Sequence, residues 1–441
     1  MRKKLKIVLL ICSLLFTIMA IWFLSVLYEG EKPSIEFSQD ANIIGQSSTF
    51  DIAFSDMKSG IRDVSVTITQ NGKERVIHSA DFTSKGHSKE IVTVLIDYKA
   101  LKLSDGGATL RASATDHSLR KNQAVVSKEV LVDITPPRIS LLNPSNYINP
   151  GGSCVTTFKL SEEVNRTGVS VNADFFAAYP VNQAGNFYYV SYFAVPLDAD
   201  QIDMKISIIA EDKAGNASLR AVPFLIRNKK FRHDRMQIGD NFLNNKMPEF
   251  SYVLDKLQNA STVESFVYVN EKLRSDNINK VAQLCKKTAD KQLWDGVFLR
   301  LNNAATMATF GDKRTYYYGD KIISKSRHMG IDLASTKNAA VEAANGGIIA
   351  FTGYLGIFGN TVIIDHGLGL FSFYAHLSNI TVADDQHVRK GDSIGLTGMS
   401  GLAGGDHLHY GVIVGSKFVN PQEWWDSHWI KDNVDIKLGQ F

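Results

Sequence analysis

The sequence predicts a mainly β protein behind one membrane-spanning helix: two β-sandwich modules, a helical linker and a C-terminal antiparallel β-sheet domain. Three observations predict it. An uncharged apolar run extends from Ile7 to Tyr28; short alternating strands broken by turn residues follow, from Pro33 to about Ile226; and from Val297 onward a glycine-rich β pattern continues with no long helix inside it. At 441 residues the chain is too long for a single compact core. The expected divisions are 1–32 for the cytoplasmic tip and anchor, 33–134 and 135–228 for the two β modules, 229–296 for the helical linker, and 297–441 for the last domain.

The N-terminal run is a membrane anchor by length and flanks. At ~1.5 Å per residue a helix over Ile7–Tyr28 spans roughly 33 Å, enough to cross a bilayer core. A cleaved signal peptide has a shorter apolar stretch ending in small residues, whereas this one ends in Ser25-Val26-Leu27-Tyr28. Arg2, Lys3, Lys4 and Lys6 before it, with Glu29 and Glu31 after it, place the short N-terminus in the cytoplasm and the remainder outside. Cys12 lies within the run behind the bulky Ile11, which fits a buried thiol rather than a lipidation site. Cys154 and Cys285, far apart in sequence and without metal-knuckle spacing, are expected to be separate buried thiols. The formal net charge of +3 is too small to suggest a nucleic-acid partner.

Beyond the anchor, Val64, Val66 and Ile68 alternate with polar residues and run into the hairpin signal Asn71-Gly72. Val92, Val94 and Ile96 repeat the pattern, and Val130 and Val132 begin a last strand before Thr135-Pro136-Pro137. A second β segment carries a weak echo of the first. Ala112-Ser113-Ala114-Thr115-Asp116 with Asn122 recurs as Ile208-Ile209-Ala210-Glu211-Asp212 with Asn216. Such endings resemble those of bacterial immunoglobulin-like modules, whose expected role here is to space or present the C-terminal domain, with glycan binding as the alternative.

Between Asp240 and Lys287 the period becomes helical. Ser261-x-x-Glu264 fits a capping box, Val263, Phe266, Val267 and Leu273 form an apolar stripe, and a second helix is expected from Asp276 through Ile278, Val281 and Leu284. These helices would pack on the next domain, or else cover its active site. Strands are then expected at Ala339–Ala344, Gly347–Phe351, Asn360–Ile364, Phe371–Ala375 and Ser393–Leu396.

Chemistry concentrates in this last region. His328 and Asp332 stand four apart, on one face of a strand or helix, and His407 and His409 stand two apart, on one face of a strand. His376 lies between the pairs in strand context. Either pair alone is a weak signal, but together within one β domain they can supply nitrogen and oxygen ligands to zinc and leave a position for water.

The stretch from about Phe310 to Trp425 resembles the M23 peptidase family, the lysostaphin-type or LytM-domain zinc endopeptidases of bacterial cell walls. The words that carry the resemblance are His328-Met-Gly-Ile-Asp332, Val341-Glu-Ala-Ala-Asn-Gly-Gly, Gly359-Asn-Thr-Val-Ile-Ile-Asp-His366, Tyr374-Ala-His376-Leu-Ser, Val388-Arg-Lys-Gly-Asp-Ser-Ile-Gly395 and His407-Leu-His409. The resemblance implies that His328, Asp332 and His409 hold one Zn2+, and that His376 and His407 are catalytic beside it, as proton carrier and oxyanion donor in an order the sequence leaves open. It departs from the family pattern at Asp406, where proline is common, and at Phe373, where a small polar residue is common.

The resemblance implies a zinc metalloendopeptidase acting on peptidoglycan peptide; joined to the anchor read from residues 7–28, the expectation is a single-pass protein of the bacterial inner membrane with its C-terminal region in the periplasm or at the cell wall. The alternative is a non-catalytic LytM-like regulator that binds the wall and activates an amidase; regulators of that kind have usually lost zinc ligands, which this chain retains. Other cell-wall enzymes are expected partners. His366 is read as structural or groove-lining, His387 and His428 as solvated, and Asn360 as a turn or groove residue. Trp424, Trp425 and Trp429 are read as packing the sheet edge, with sugar binding as the alternative.

Overall fold

A computed structural model gives the protein's fold, and it describes the whole chain except residues 1, 28–29, 39–40, 85, 143–145, 184–185, 256, 258–259 and 440–441. The N-terminal helix runs Arg2–Leu27 and carries the apolar window Ile7–Leu24, long and apolar enough to cross a membrane. Tyr28 and Glu29, the expected end of the span and its acidic flank, lie outside the described residues. The rest is mainly β, and the chain divides into two compact units, Met1–Pro137 with Glu211–Ser218, and Arg138–Ala210 with Leu219–Phe441.

The first unit holds two sheets whose inner faces follow the alternation in the sequence. Val64, Val66 and Ile68 on one sheet and Val92, Val94 and Ile96 on the other are all buried in one core. Strands Ile61–Gln70 and Lys73–Asp81 form a hairpin at Asn71-Gly72, where both residues take positive φ (52° and 72°), as a two-residue turn of this hand requires. The echoed segments also share a local device. Asp116 accepts the backbone N–H and the side-chain amide of Asn122, and Asp212 does the same with Asn216. An aspartate that folds the following turn onto itself explains why an Asn follows the Asp in both segments, six residues on in one and four in the other.

The second unit contains a β-sandwich, the helices and the C-terminal domain around one continuous apolar core. Its sandwich sheet of Tyr179–Gln183, Asn186–Ala194, Ser153–Leu160 and Ile139–Leu141 is tied to the C-terminal segment through Glu423. That carboxylate accepts from Ser153 N (2.7 Å), Ser153 Oγ (3.0 Å) and Asn149 Nδ2 (2.8 Å). Burial raises its pKa, against the pull of these donors. Cys154 and Cys285 are separate buried thiols.

The helical segment differs from the sequence expectation at one place. Ser261 caps Thr262–Tyr268 with the expected reciprocal box to Glu264, but no second helix begins at Asp276. The chain instead passes through a π-helical turn, Val269–Leu273, straight into Arg274–Leu284. Asp276 pairs with Lys272 one turn earlier on the same helix, so its carboxylate is engaged in an i,i+4 pair rather than in capping.

The C-terminal domain is an antiparallel sheet in the order Ala305–Ala308, Ile331–Ala334, Leu408–Val414, Leu370–Leu377, Asn360–Asp365, Gly347–Tyr354 and His387–Val388, with Lys417–Val419 added beside Leu408–Val414. The two central strands are buried along their whole length, as expected of strands covered on both faces. Trp424 is fully buried against Tyr192, Trp294, Phe298 and Trp429, and Trp425 stacks on Tyr410. The tryptophans therefore pack the edge of the sheet. Trp424→Ala is expected to remove about 3–5 kcal/mol of stability, read by denaturant unfolding of the full chain.

Candidate metal centre

Register brings two of the singled-out side chains together. Asp332 pairs directly with His409 across neighbouring strands, so both project from the same face. His328 joins them by a change of strand rather than by a shared strand face. It follows the strand Lys321–Arg327, and the turn through Met329 and Gly330 leads into Ile331–Ala334. Gly330 is required there, because a Cβ would stand 2.5 Å from His409 Nε2 and 2.6 Å from the Tyr410 carbonyl.

The three side chains converge to hydrogen-bond distance. His328 Nε2 and His409 Nδ1 each lie 2.9 Å from Asp332 Oδ1, and the two nitrogens are 3.0 Å apart. All three residues are buried. His328 Nδ1 faces the Thr309 carbonyl at 3.0 Å and so carries the proton in a neutral ring. Its Nε2 then presents a lone pair to a carboxylate oxygen, an acceptor facing an acceptor, which a cation resolves. Two imidazole nitrogens and one carboxylate oxygen make a donor set suited to zinc, and the residues present fit that ion. Among the described residues His409 Nε2 is buried with no hydrogen-bond partner.

Asp332 is oriented from behind. Arg314, on the strand Lys313–Tyr318, donates through Nη2 to Asp332 Oδ2 at 2.9 Å and leaves Oδ1 to the histidines. Burial pushes the Asp332 carboxyl up, but the facing histidines, His328 foremost, outweigh it and hold it well below the usual range. Burial brings His409 down to about 4. Phe358 and Phe373 stand against the His409 ring, at 5.9 and 6.2 Å between centroids, so Phe373 forms part of the apolar backing of this histidine.

His376 arrives by a device that periodicity could not reveal. Ala375 pairs with His409, so in a regular strand the next side chain would point to the opposite face. Between the pairs Asn360–Leu377 and Val362–Tyr374, however, the single residue Thr361 stands opposite both Ala375 and His376, which is a β-bulge. His376 takes φ +63°, rare for a residue with a Cβ, and its ring swings back to 5.8 Å from His409 and 4.8 Å from His407.

His407 precedes its strand, bridged to Gly398, and its Nε2 lies 3.6 Å from Asp332 Oδ1. Both outer rings are fixed by backbone carbonyls. His376 Nδ1 faces Ser400 O at 2.8 Å, and His407 Nδ1 faces Gly405 O at 2.8 Å. Each therefore donates through Nδ1 and turns Nε2 toward the centre. Burial, with the charges of His407 and His409, holds His376 well below the ordinary imidazole value. Burial also opposes charge on His407, but the attraction of Asp332 prevails and raises it. Asp406, which departs from the proline common at this position in the family pattern, accepts from Thr397 Oγ1 (2.6 Å) and Asn338 N (3.2 Å) and so anchors the loop that carries His407.

The remaining singled-out residues lie outside the cluster. His366 is buried between Gly346 O and Ser372 Oγ, 2.7 Å from each, and is structural. His387 and His428 are exposed. Asn360 donates to Leu377 O at 3.0 Å across the neighbouring strand. Sequence reasoning missed Arg314 and Arg274, both of which line the pocket around the cluster. No local spacing marks either one, because each reaches the site from a different element.

An antiparallel β domain with this cluster is a candidate metal-binding domain. More narrowly, residues 326–421 match the model of Peptidase family M23, and the C-terminal domain is an M23 peptidase domain. The chain is 42% identical over 94 residues to the DD-carboxypeptidase/endopeptidase Mpg of Neisseria meningitidis, covering 21% of this chain and 22% of that protein. It is 39% identical over 93 residues to the peptidoglycan DD-endopeptidase ShyA of Vibrio cholerae, covering 21% and 22%. It is also 29% identical over 107 residues to the murein hydrolase activator EnvC of Escherichia coli, covering 24% and 26%. The chain thus spans about a quarter or less of the length of these relatives.

The burial of His366 sets a pH dependence. Burial pushes its imidazole down to about 4, against the hydrogen bond it donates to the Gly346 carbonyl, which favours the charged ring. The unfolded chain, near the ordinary value of about 6.5, binds the proton first as pH falls, so stability is complete above about 6.5 and declines toward 4. The decline from this group is expected to approach about 3 kcal/mol, and His366→Gln should remove that share, leaving the part due to His376 and His409, in denaturant titrations at pH 7 and pH 4.5.

Proposed function

We propose that this protein is a zinc metalloendopeptidase that hydrolyses peptide bonds in peptidoglycan stems or cross-bridges, anchored in the bacterial inner membrane by residues 7–28. The reading is carried by one observation, the convergence of His328 Nε2, Asp332 Oδ1 and His409 Nδ1, with two further imidazoles aimed at the same point. The similarity to enzymes named as peptidoglycan endopeptidases supports the substrate class.

His328, Asp332 and His409 would hold the zinc, and Arg314 keeps the carboxylate turned toward it. When bound, zinc supplies the Lewis acidity that activates water and polarises a carbonyl. The protein's own residues handle the protons. His376 and His407 carry lone pairs on Nε2, because each Nδ1–H is committed to a backbone carbonyl. One such imidazole accepts the proton of the attacking water and returns it to the leaving amine. The other, when protonated, donates to the oxygen on which negative charge develops. Burial keeps His376 neutral at pH 7, and Asp332 makes His407 the more basic of the two.

The similarity to EnvC favours a second reading, a regulator that binds the wall and activates a separate amidase. The complete set of five polar side chains favours the enzyme. In detergent, the full chain is expected to retain about one zinc per protein. It should also convert cross-linked muropeptide dimers to monomers, read by mass spectrometry. His409→Ala should lose both zinc and turnover. His376→Ala and His407→Ala should keep zinc and lose roughly 10²–10⁴-fold in rate. Wall binding without new peptide termini, together with stimulation of an amidase, would exclude the peptidase.

A further inference from the structure

The pocket at the metal centre, about 320 Å³, is not walled by the sheet alone. Ile238, Phe242 and Phe266 close one side, and Arg274 reaches into it from the helix Arg274–Leu284. Among the described residues Asp332 is the one acidic side chain lining this pocket, against the two guanidinium groups of Arg274 and Arg314.

The two arginines differ in how they are occupied. Arg314 gives Nη2 to Asp332, and its Nε is buried without an acceptor. Arg274 is braced from behind: Nε donates to Asn270 O at 3.0 Å and Nη2 to Asn270 Oδ1 at 2.7 Å. Asn270 is itself buried and fixed, donating through Nδ2 to Ser324 Oγ at 2.7 Å. Among the described residues no hydrogen-bond acceptor is found for Arg274 Nη1, and the residue as a whole is half-buried. The π-helical turn Val269–Leu273 immediately before Arg274 rotates the helix face that follows it, and insertions of this kind concentrate at functional positions. A braced, partly desolvated guanidinium with an open N–H, in a pocket whose one acid is bonded to the neighbouring Arg314, is a receptor for a carboxylate.

We infer that Arg274, with Arg314 behind it, forms an anionic subsite beside the metal centre that takes a carboxylate of the peptide substrate near the scissile bond. The inference rests on the peptidase reading of this site. The carboxylate comes either from a free C-terminus or from an acidic residue within the peptide, and the test separates the two.

Binding to the full chain in detergent is measured by calorimetry, in chelator-treated and in zinc-loaded protein, with three N-acetylated peptides of equal length. One has a free C-terminus and no acidic residue, one is amidated and neutral, and one is amidated with an internal D-glutamate. Chelation removes any attraction of the metal for the carboxylate. One of the two acids is expected to bind roughly tenfold more tightly than the neutral amide, in both states of the protein. Preference for the free terminus assigns the subsite to a terminal carboxylate, and preference for the internal acid to an in-chain one. Arg274→Gln should erase the preference, and Arg274→Lys should retain part of it, with circular dichroism reporting the fold of each. Equal binding of all three peptides by the wild-type chain overturns the inference, as does a preference that survives in a folded Arg274→Gln. If the preference holds but zinc-loaded protein cleaves none of the peptides or muropeptides, the peptidase reading fails and the subsite stands.

Discussion

The pairing of Asp332 with His409 across adjacent antiparallel strands is the constraint on which the rest of the site depends. It fixes a carboxylate and an imidazole on one face within hydrogen-bond distance, at a depth where neither is tolerated without a partner. Every neighbouring feature serves that pair. Gly330 leaves room for the His409 ring, Thr309 O sets the His328 tautomer, and Arg314 uses the carboxylate oxygen that faces away. A shift of register by one residue would send Asp332 or His409 to the opposite face and undo the cluster.

Around this rigid pair the structure admits local departures from regularity, and each has a geometric purpose. The bulge at His376 reverses the direction of one side chain without disturbing the strands that flank it. The π-helical turn before Arg274 precedes the helix from which that side chain reaches a pocket lined by both the sheet domain and the helical segment. Both are costly distortions held in place by surrounding hydrogen bonds, His376 by Ser400 and Arg274 by Asn270. The fully packed central strands and the aromatic edge around Trp424 supply the rigidity against which these distortions are held.

Much of this was legible beforehand, for physical reasons that differ from element to element. Alternating valines and isoleucines announced the strands because burial on one face imposes a period of two, and Val64, Val66 and Ile68 are indeed the inward set. Asn71-Gly72 announced its turn because few residues tolerate two successive positive φ angles. Ser261 and Glu264 announced a helix start because the exposed N–H groups need acceptors. The expected helix start at Asp276 did not materialise, since the same carboxylate serves equally well in a salt bridge within a helix.

The composition of the site belongs to the sequence: which residues can bind a metal, that two pairs of them are closely spaced, and that they occupy a β-rich region behind an apolar N-terminal helix. Such properties follow from side-chain chemistry and short-range periodicity, which are local. The meeting of His328 with Asp332 across a change of strand, the turning of His376 by a bulge, and the arrival of Arg314 and Arg274 were decided only by the tertiary structure. Even where the partners are close in sequence, as His328 and Asp332 are, their geometry is set by strand register and helix packing, quantities that no single segment contains.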